Sequence, residues 1–131
     1  MKIKVAQIGV GLIGKKRIEI IQESFKSRIE LIGYVDKHVQ LNSSIKKLTL
    51  QEVKSAKPDL IIVSVPHDEV ANISVEIGEL NCVVLIEKPI GRNSKECKKI
   101  LKNLSKCTVI GGFNYRFLPG IDELFNVFRT K

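Results

Sequence analysis

The sequence predicts an α/β domain in three layers: a doubly wound parallel sheet with helices on both faces. Three observations predict it. Short apolar segments rich in β-branched residues alternate with stretches of helical periodicity along the chain, as strand–helix–strand crossovers require. The run Leu60-Ile61-Ile62-Val63-Ser64-Val65 is apolar almost without interruption, as a central parallel strand covered on both faces must be. A glycine turn, Gly9-Val-Gly-Leu-Ile-Gly14, joins the first apolar strand to the first helical stretch.

In order, the first strand spans about Lys2–Ile8 and the first helix Leu12–Ser24. Lys15, Lys16 and Arg17 fall in the first turns of that helix, against its dipole. They are either a solvent face or a cationic surround for an anionic ligand, with Lys15 and Lys16 expected to point outward. A second strand covers Ile29–Val35. Residues 37–44 are polar and too few for a full crossover helix, and Ile45–Leu48 reads as a brief strand. Thr49, with Glu52 three positions on, forms a capping box for a helix reaching Ala56. Lys57-Pro58-Asp59 breaks the chain before the strand Leu60–Val65, which Pro66 ends. Asp68 is the expected cap of a helix Glu69–Leu80, with Val70, Ile73 and Ile77 inward. The strand Cys82–Ile86 follows and runs into Glu87-Lys88-Pro89. Asn93 and Glu96 box the start of the helix Ser94–Ser105. Thr108–Phe113 is the last strand. In the closing helix, Ile121–Thr130, the residues Ile121, Leu124, Phe125 and Phe128 stand at i, i+3, i+4 and i+7, an apolar stripe that something must cover.

The 131 residues suit one domain with a core of its own, and a hydrophobic content of 44% argues against disorder. No apolar run approaches the roughly 20 residues that span a bilayer. The chain opens on a strand pattern rather than a signal peptide, so the expected location is cytoplasmic. Cys82, Cys97 and Cys107 show no C-x-x-C spacing and read as free thiols in a reducing compartment, not as a metal site. The net charge of +8 raises the question of nucleic acid. Its main cluster, Lys95, Lys98, Lys99, Lys102 and Lys106, lines one helix face opposite Cys97, Ile100, Leu101 and Leu104. A solvated amphipathic face explains that pattern, and no aromatic residues interleave the lysines for stacking.

The glycine turn carries the chemistry. Gly9 permits the tight turn off the strand, Gly11 lets backbone approach a pyrophosphate, and Gly14 lets the helix pack close to the sheet. The N–H groups of the helix start, around Leu12 and Ile13, then hold phosphate without a side chain. Asp36 ends the second strand about 20 residues further on, where a dinucleotide's ribose 2′-hydroxyl needs an acceptor. A carboxylate repels a 2′-phosphate, so NAD is favoured, although Lys37 leaves room for NADP. Ligands collect at the carboxyl ends of strands in such sheets. That makes Ser64, Pro66 and His67 candidate cofactor contacts, His67 being equally a plain loop residue. Glu87 and Lys88 sit at the corresponding end of the next strand, as ligand contacts or as a surface ion pair before a turn.

Four segments in order, Gly9–Gly14, Asp59-Leu-Ile-Ile-Val-Ser-Val-Pro66, Glu87-Lys-Pro89 and Gly112-Phe-Asn-Tyr-Arg-Phe-Leu-Pro119, resemble the N-terminal domain of the Gfo/Idh/MocA oxidoreductases, such as glucose–fructose oxidoreductase and inositol dehydrogenase. The resemblance implies a Rossmann-type domain over residues 1–120. Residues 121–131 would be a helix leading into a second, substrate-binding domain that this chain does not contain. It further implies NAD(P)-dependent hydride transfer at a hydroxyl or keto carbon of a sugar, cyclitol or sugar nucleotide. Lys88 would lie beside the nicotinamide and hold the reacting oxygen as the catalytic and substrate-contacting residue. Glu87 would lie near the nicotinamide ribose and Asn114 at the edge of the substrate pocket.

Three features depart from the family pattern. The crossover after the second strand is short. Pro66-His67 stands where Pro-Asn with a later His is usual. The chain stops at Lys131, as an excised piece, a natural fragment or a divergent short protein. The expectation is therefore NAD(H) binding with little turnover and self-association, most simply as a dimer. The alternatives are a non-catalytic nucleotide-binding, redox-sensing or partner module, and a basic interaction protein with a vestigial turn.

Overall fold

A computed structural model describes the backbone of residues 1–129 and their side chains except Arg116, Asp122, Leu124, Phe128 and Arg129. Five strands, β1 (Ile3–Ile8), β2 (Ile29–Val35), β3 (Leu60–Val63), β4 (Val83–Glu87) and β5 (Thr108–Gly112), form one parallel sheet in the order β2-β1-β3-β4-β5. The chain winds outward from β1 in both directions, as the sequence predicts. The reversal of winding opens a crevice at the carboxyl ends of β1 and β3.

Helix α1 (Leu12–Ser24) covers one face, where its Ile18 and Ile21 pack in clusters that include Val5, Ile62 and Tyr34. Helices α2 (Leu50–Ala56), α3 (Val70–Ile77) and α4 (Ser94–Asn103) cover the other. Val53, Ile73, Ile77 and Ile100 meet Ala6, Ile8, Ile61, Val63 and Val84 there in the largest core cluster. The alternation of inward and outward residues places Val5 and Ile62 under α1, and Ala6 and Ile61 under the opposite layer.

The Thr49 capping box forms in full: the Thr49 hydroxyl accepts from the Glu52 N–H, and the Glu52 carboxylate accepts from the Thr49 N–H. At α4 only half of the expected box forms. Asn93 Oδ1 accepts from the Glu96 N–H at 2.9 Å, while the Glu96 carboxylate turns to the Arg92 N–H and guanidinium. Those bonds hold the Glu96 carboxyl down to about 2. Asp68 does not cap α3; the Glu69 N–H bonds the Pro66 carbonyl instead, and the helix is shorter than the apolar periodicity suggests. The strand expected at Ile45–Leu48 shrinks to a single parallel bridge, Lys47 to Tyr34, on the outer edge of β2. An outer edge offers hydrogen bonds from one side only, and two of them, Tyr34 N–H to Lys46 and Leu48 N–H to Tyr34, suffice to pin the segment. A 3-10 turn (Asn114–Phe117) leads to α5 (Ile121–Arg129). Thr130, expected to end this last helix, lies outside the described residues, as do the side chains of Leu124 and Phe128 in its apolar stripe. Leu101, placed on the apolar side of α4 by its periodicity, is about half exposed.

Candidate functional site

The glycine turn is built by its own sterics. Gly9 has φ +84°, a left-handed conformation that favours glycine, and a Cβ there would stand 2.6 Å from the Ser64 carbonyl oxygen. A Cβ on Gly14 would collide with the Gly9 carbonyl, so both outer glycines are required by packing. Gly11 differs: a Cβ there meets open space. The buried Gln7 amide supports the turn from below, donating from Nε2 to the Gly9 carbonyl at 2.8 Å. Gln7 was not legible as a site residue, because a polar residue inside an apolar strand carries no position-specific signal. Gly11 occupies the N-cap position of α1, where no side chain caps the helix and the first turn holds no acidic residue. The start of α1 therefore presents uncapped N–H groups beside the crevice, a setting suited to an anion.

Asp36 ties the turn to the tip of β2. One carboxylate oxygen accepts from the Val10 N–H at 2.8 Å; the other accepts from the His38 and Val39 N–H groups, each at 2.8 Å. Burial pushes its carboxyl up, but the three N–H bonds and the nearby Lys47 charge outweigh that and hold it below its ordinary value of 3.8. A carboxylate has about four lone-pair sites, so one acceptor position on the Val10-bound oxygen is left over.

Between the turn, the tip of β2 and the start of α3 lies a cavity of about 310 Å³. Six residues singled out from the sequence line it together: Gly9, Gly11, Asp36, Lys37, Ser64 and Pro66. Val39, Leu50, Val65 and Ile73 give it apolar walls. The buried Ser64 hydroxyl has no hydrogen-bond partner among the described residues. Glu69, which the sequence offered only as a helix start, reaches over the cavity to Lys37, 2.7 Å from Oε2 to Nζ. His67 does not line the cavity. It is exposed. Leu12 and Ile13 are exposed at the helix start, outside the cavity lining.

A second cluster forms at the carboxyl ends of β4 and β5. Arg17 of α1, half-buried, donates from Nε to Glu87 Oε1 at 2.6 Å and pairs with the same oxygen through Nη2; Nη2 also donates to Asn114 Oδ1 at 3.2 Å. Of the three early cations, Lys15 and Lys16 do point outward, and Arg17 alone turns in. The Lys88–Pro89 peptide is cis, and the exposed Lys88 ammonium lies 5.9 Å from the centroid of the Tyr115 ring. Glu87, Lys88 and Asn114 thus gather on the side of the glycine turn away from the cavity. The two clusters flank the start of α1. Among the described residues no group of His, Cys, Asp and Glu could hold a metal ion.

Residues 3–115 match the model of the Gfo/Idh/MocA family, described as an oxidoreductase family with an NAD-binding Rossmann fold. The chain belongs to this family. Solved structures agree on the fold of the Gfo/Idh/MocA domain. The WlbA dehydrogenase of Bordetella pertussis, crystallised with NADH and UDP-GlcNAcA, superposes with a TM-score of 0.85 at 16% identity, over 99% of this chain and 42% of its own. Scyllo-inositol dehydrogenase of Lactobacillus casei, with bound NAD(H) and scyllo-inositol, gives 0.80 at 15% identity, again over 99% and 42%. D-galactose-1-dehydrogenase of Rhizobium etli gives 0.82 at 16% identity, over 98% and 43%. The chain thus spans about two fifths of the length of these Gfo/Idh/MocA structures. No curated protein matches it in sequence.

Proposed function

We propose that this chain is the NAD-binding part of a dehydrogenase that moves hydride between the nicotinamide and a hydroxyl or keto carbon of a sugar, cyclitol or sugar nucleotide. The observation that carries this reading is the shared cavity of Gly9, Gly11, Asp36 and Ser64 beside the uncapped start of α1. The spare Asp36 acceptor position suits a ribose 2′-hydroxyl, and the unpartnered Ser64 hydroxyl is free to bond the same nucleoside. The N–H groups at the start of α1 face the pyrophosphate, and the open space at Gly11 lets it approach. NAD, when bound, supplies the hydride chemistry.

The remaining groups belong to this chain. The Lys88 Nζ holds the reacting oxygen by a hydrogen bond, favours its alkoxide form and exchanges the proton with it. Glu87, fixed by Arg17, and Asn114 frame the nicotinamide ribose and the edge of the substrate pocket. Residues beyond this chain's two-fifths share would complete that pocket, so the isolated chain binds NAD(H) and turns over little.

The test is NADH titration by fluorescence, repeated with NADPH and with Asp36→Ala. The expected result is saturable NADH binding that Asp36→Ala weakens about tenfold or more, since a hydrogen bond to a charged group is worth about 1.5–3 kcal/mol. NADPH should bind more weakly. Absence of binding by either nucleotide would overturn the reading. Normal NADH affinity with no activity after a complementary second domain is supplied would favour a non-catalytic nucleotide-binding module instead.

A further inference from the structure

The cavity that contains Asp36 has an unusual rim. Lys37 extends from the tip of β2 and Glu69 from the start of α3, and their 2.7 Å ion pair bridges the opening between two elements 32 residues apart in sequence. Among the cavity's described lining residues, Lys37 is the one lysine or arginine, and Asp36 and Glu69 are the two carboxylates. The second cation near Asp36, Lys47, donates to the Val39 carbonyl at 3.1 Å, on the segment that follows Asp36. Glu69 does not hold α3 together through its side chain: no side-chain cap is present, and the entry to the helix is made by its backbone N–H and carbonyl.

We infer that Glu69 is a determinant of nucleotide choice, excluding a 2′-phosphate by holding Lys37 across the rim of the cavity. This deepens the proposed function and rests on its placing of the adenosine ribose at Asp36. A 2′-phosphate needs a nearby cation to offset the Asp36 carboxylate. Lys37 is placed to be that cation, and Glu69 neutralises it while adding a second negative charge to the rim. The ribose 2′-hydroxyl of NAD carries no charge and is indifferent to both effects. The sequence alone leaves Lys37 open as an NADP contact; the tertiary fold closes that opening by bringing Glu69 to it.

The test compares dissociation constants for NADH and NADPH in the chain, Glu69→Gln, Lys37→Gln and the double variant, each checked by thermal melting. Glu69→Gln is expected to shift the ratio of NADPH to NADH affinity toward NADPH, with saturable NADH binding retained. It should tighten NADPH about five- to tenfold, the scale for exposed charges a few ångströms apart. The double variant should lose most of that gain, because its larger part depends on the freed ammonium. An unchanged NADPH/NADH ratio in Glu69→Gln, with NADH binding intact, overturns the inference alone. A gain that survives undiminished in the double variant also overturns it, since Lys37 would then play no part. Failure of the unaltered chain to bind NADH overturns the proposed function with it, so the two failures are told apart.

Discussion

Gly11 separates binding from stability more cleanly than any other position, because its neighbours in the motif are sterically committed and it is not. A Cβ at Gly11 meets open space, and the backbone there, with φ −62°, is open to any residue. Gly11→Ala is therefore expected to leave the thermal midpoint within about 2 °C, a surface-type effect, while cutting NADH affinity tenfold or more. Gly9→Ala should instead destabilise the fold, by about 1–3 kcal/mol for the forced backbone conformation alone. Equal loss of stability in the two variants would show that the open space at Gly11 has no functional meaning. Asp36 behaves differently again. Its carboxyl is held below 3.8 in the folded chain, so the stability it adds is fully present above pH 3.8 and is lost as pH falls through the lower folded value. Asp36→Ala should flatten the acid limb of a pH–stability profile. At pH 7 it should cost about 1–3 kcal/mol, because the buried Val10 N–H loses its partner. An unchanged acid limb would rule out that clamp.

Helix starts are the elements most completely written in local sequence. Thr49 and Glu52 form their box with residues three apart, independent of the rest of the fold. Thr49→Ala should lower stability by about 1 kcal/mol in a denaturant titration, without a change in slope. Asp68 shows the limit of that logic. It has the right side chain for a cap, yet the turn from Pro66 to Glu69 satisfies the backbone first. Arg17 shows the converse. In sequence it is one of three early cations, of which only Lys15 and Lys16 read as outward, and no partner is named for it; in the fold it reaches the ends of β4 and β5 at Glu87 and Asn114. Its guanidinium donates along two directions at once, which an ammonium does not reproduce. Arg17→Lys should therefore weaken NADH binding severalfold while leaving the affinity for ADP-ribose, which lacks nicotinamide, nearly unchanged. Equal weakening of both ligands would place Arg17 outside the nicotinamide side.

At the scale of the whole molecule, much of the exposed apolar surface falls in the last quarter of the chain. Ile110, Phe113, Tyr115, Leu118 and Phe125 are all about half exposed or more. Apolar surface gathered in this way favours association. The chain is expected to self-associate at tens of micromolar, most simply as a two-fold dimer; a single monomeric mass by light scattering would refute this. Among the described residues no helix is long and apolar enough to cross a membrane. The lysines of α4 are exposed, and Lys106, just beyond it, is paired with Glu79. The base of the sheet supplies a contrasting thiol: burial foremost, then the neighbouring Cys107 and the Asp59 carboxylate, push Cys82 up to about 12. It should resist alkylation at pH 8 in the native chain and react on unfolding.

The parallel sheet, the order of elements, the glycine turn and the acidic residue at the tip of β2 could all be read from the sequence. Each depends on local periodicity or on spacing within one strand–helix–strand unit, and short-range sterics settle such features. The bounds of α1, β2 and α2 follow for the same reason. What only the tertiary structure decided are the partnerships between residues far apart in the chain: Val10 with Asp36, Lys37 with Glu69, and Arg17 with Glu87 and Asn114. Side chains of one charge look alike along a sequence. Which of them turns inward depends on where the crossovers bring strand ends together, a property of the wound sheet and not of any one segment.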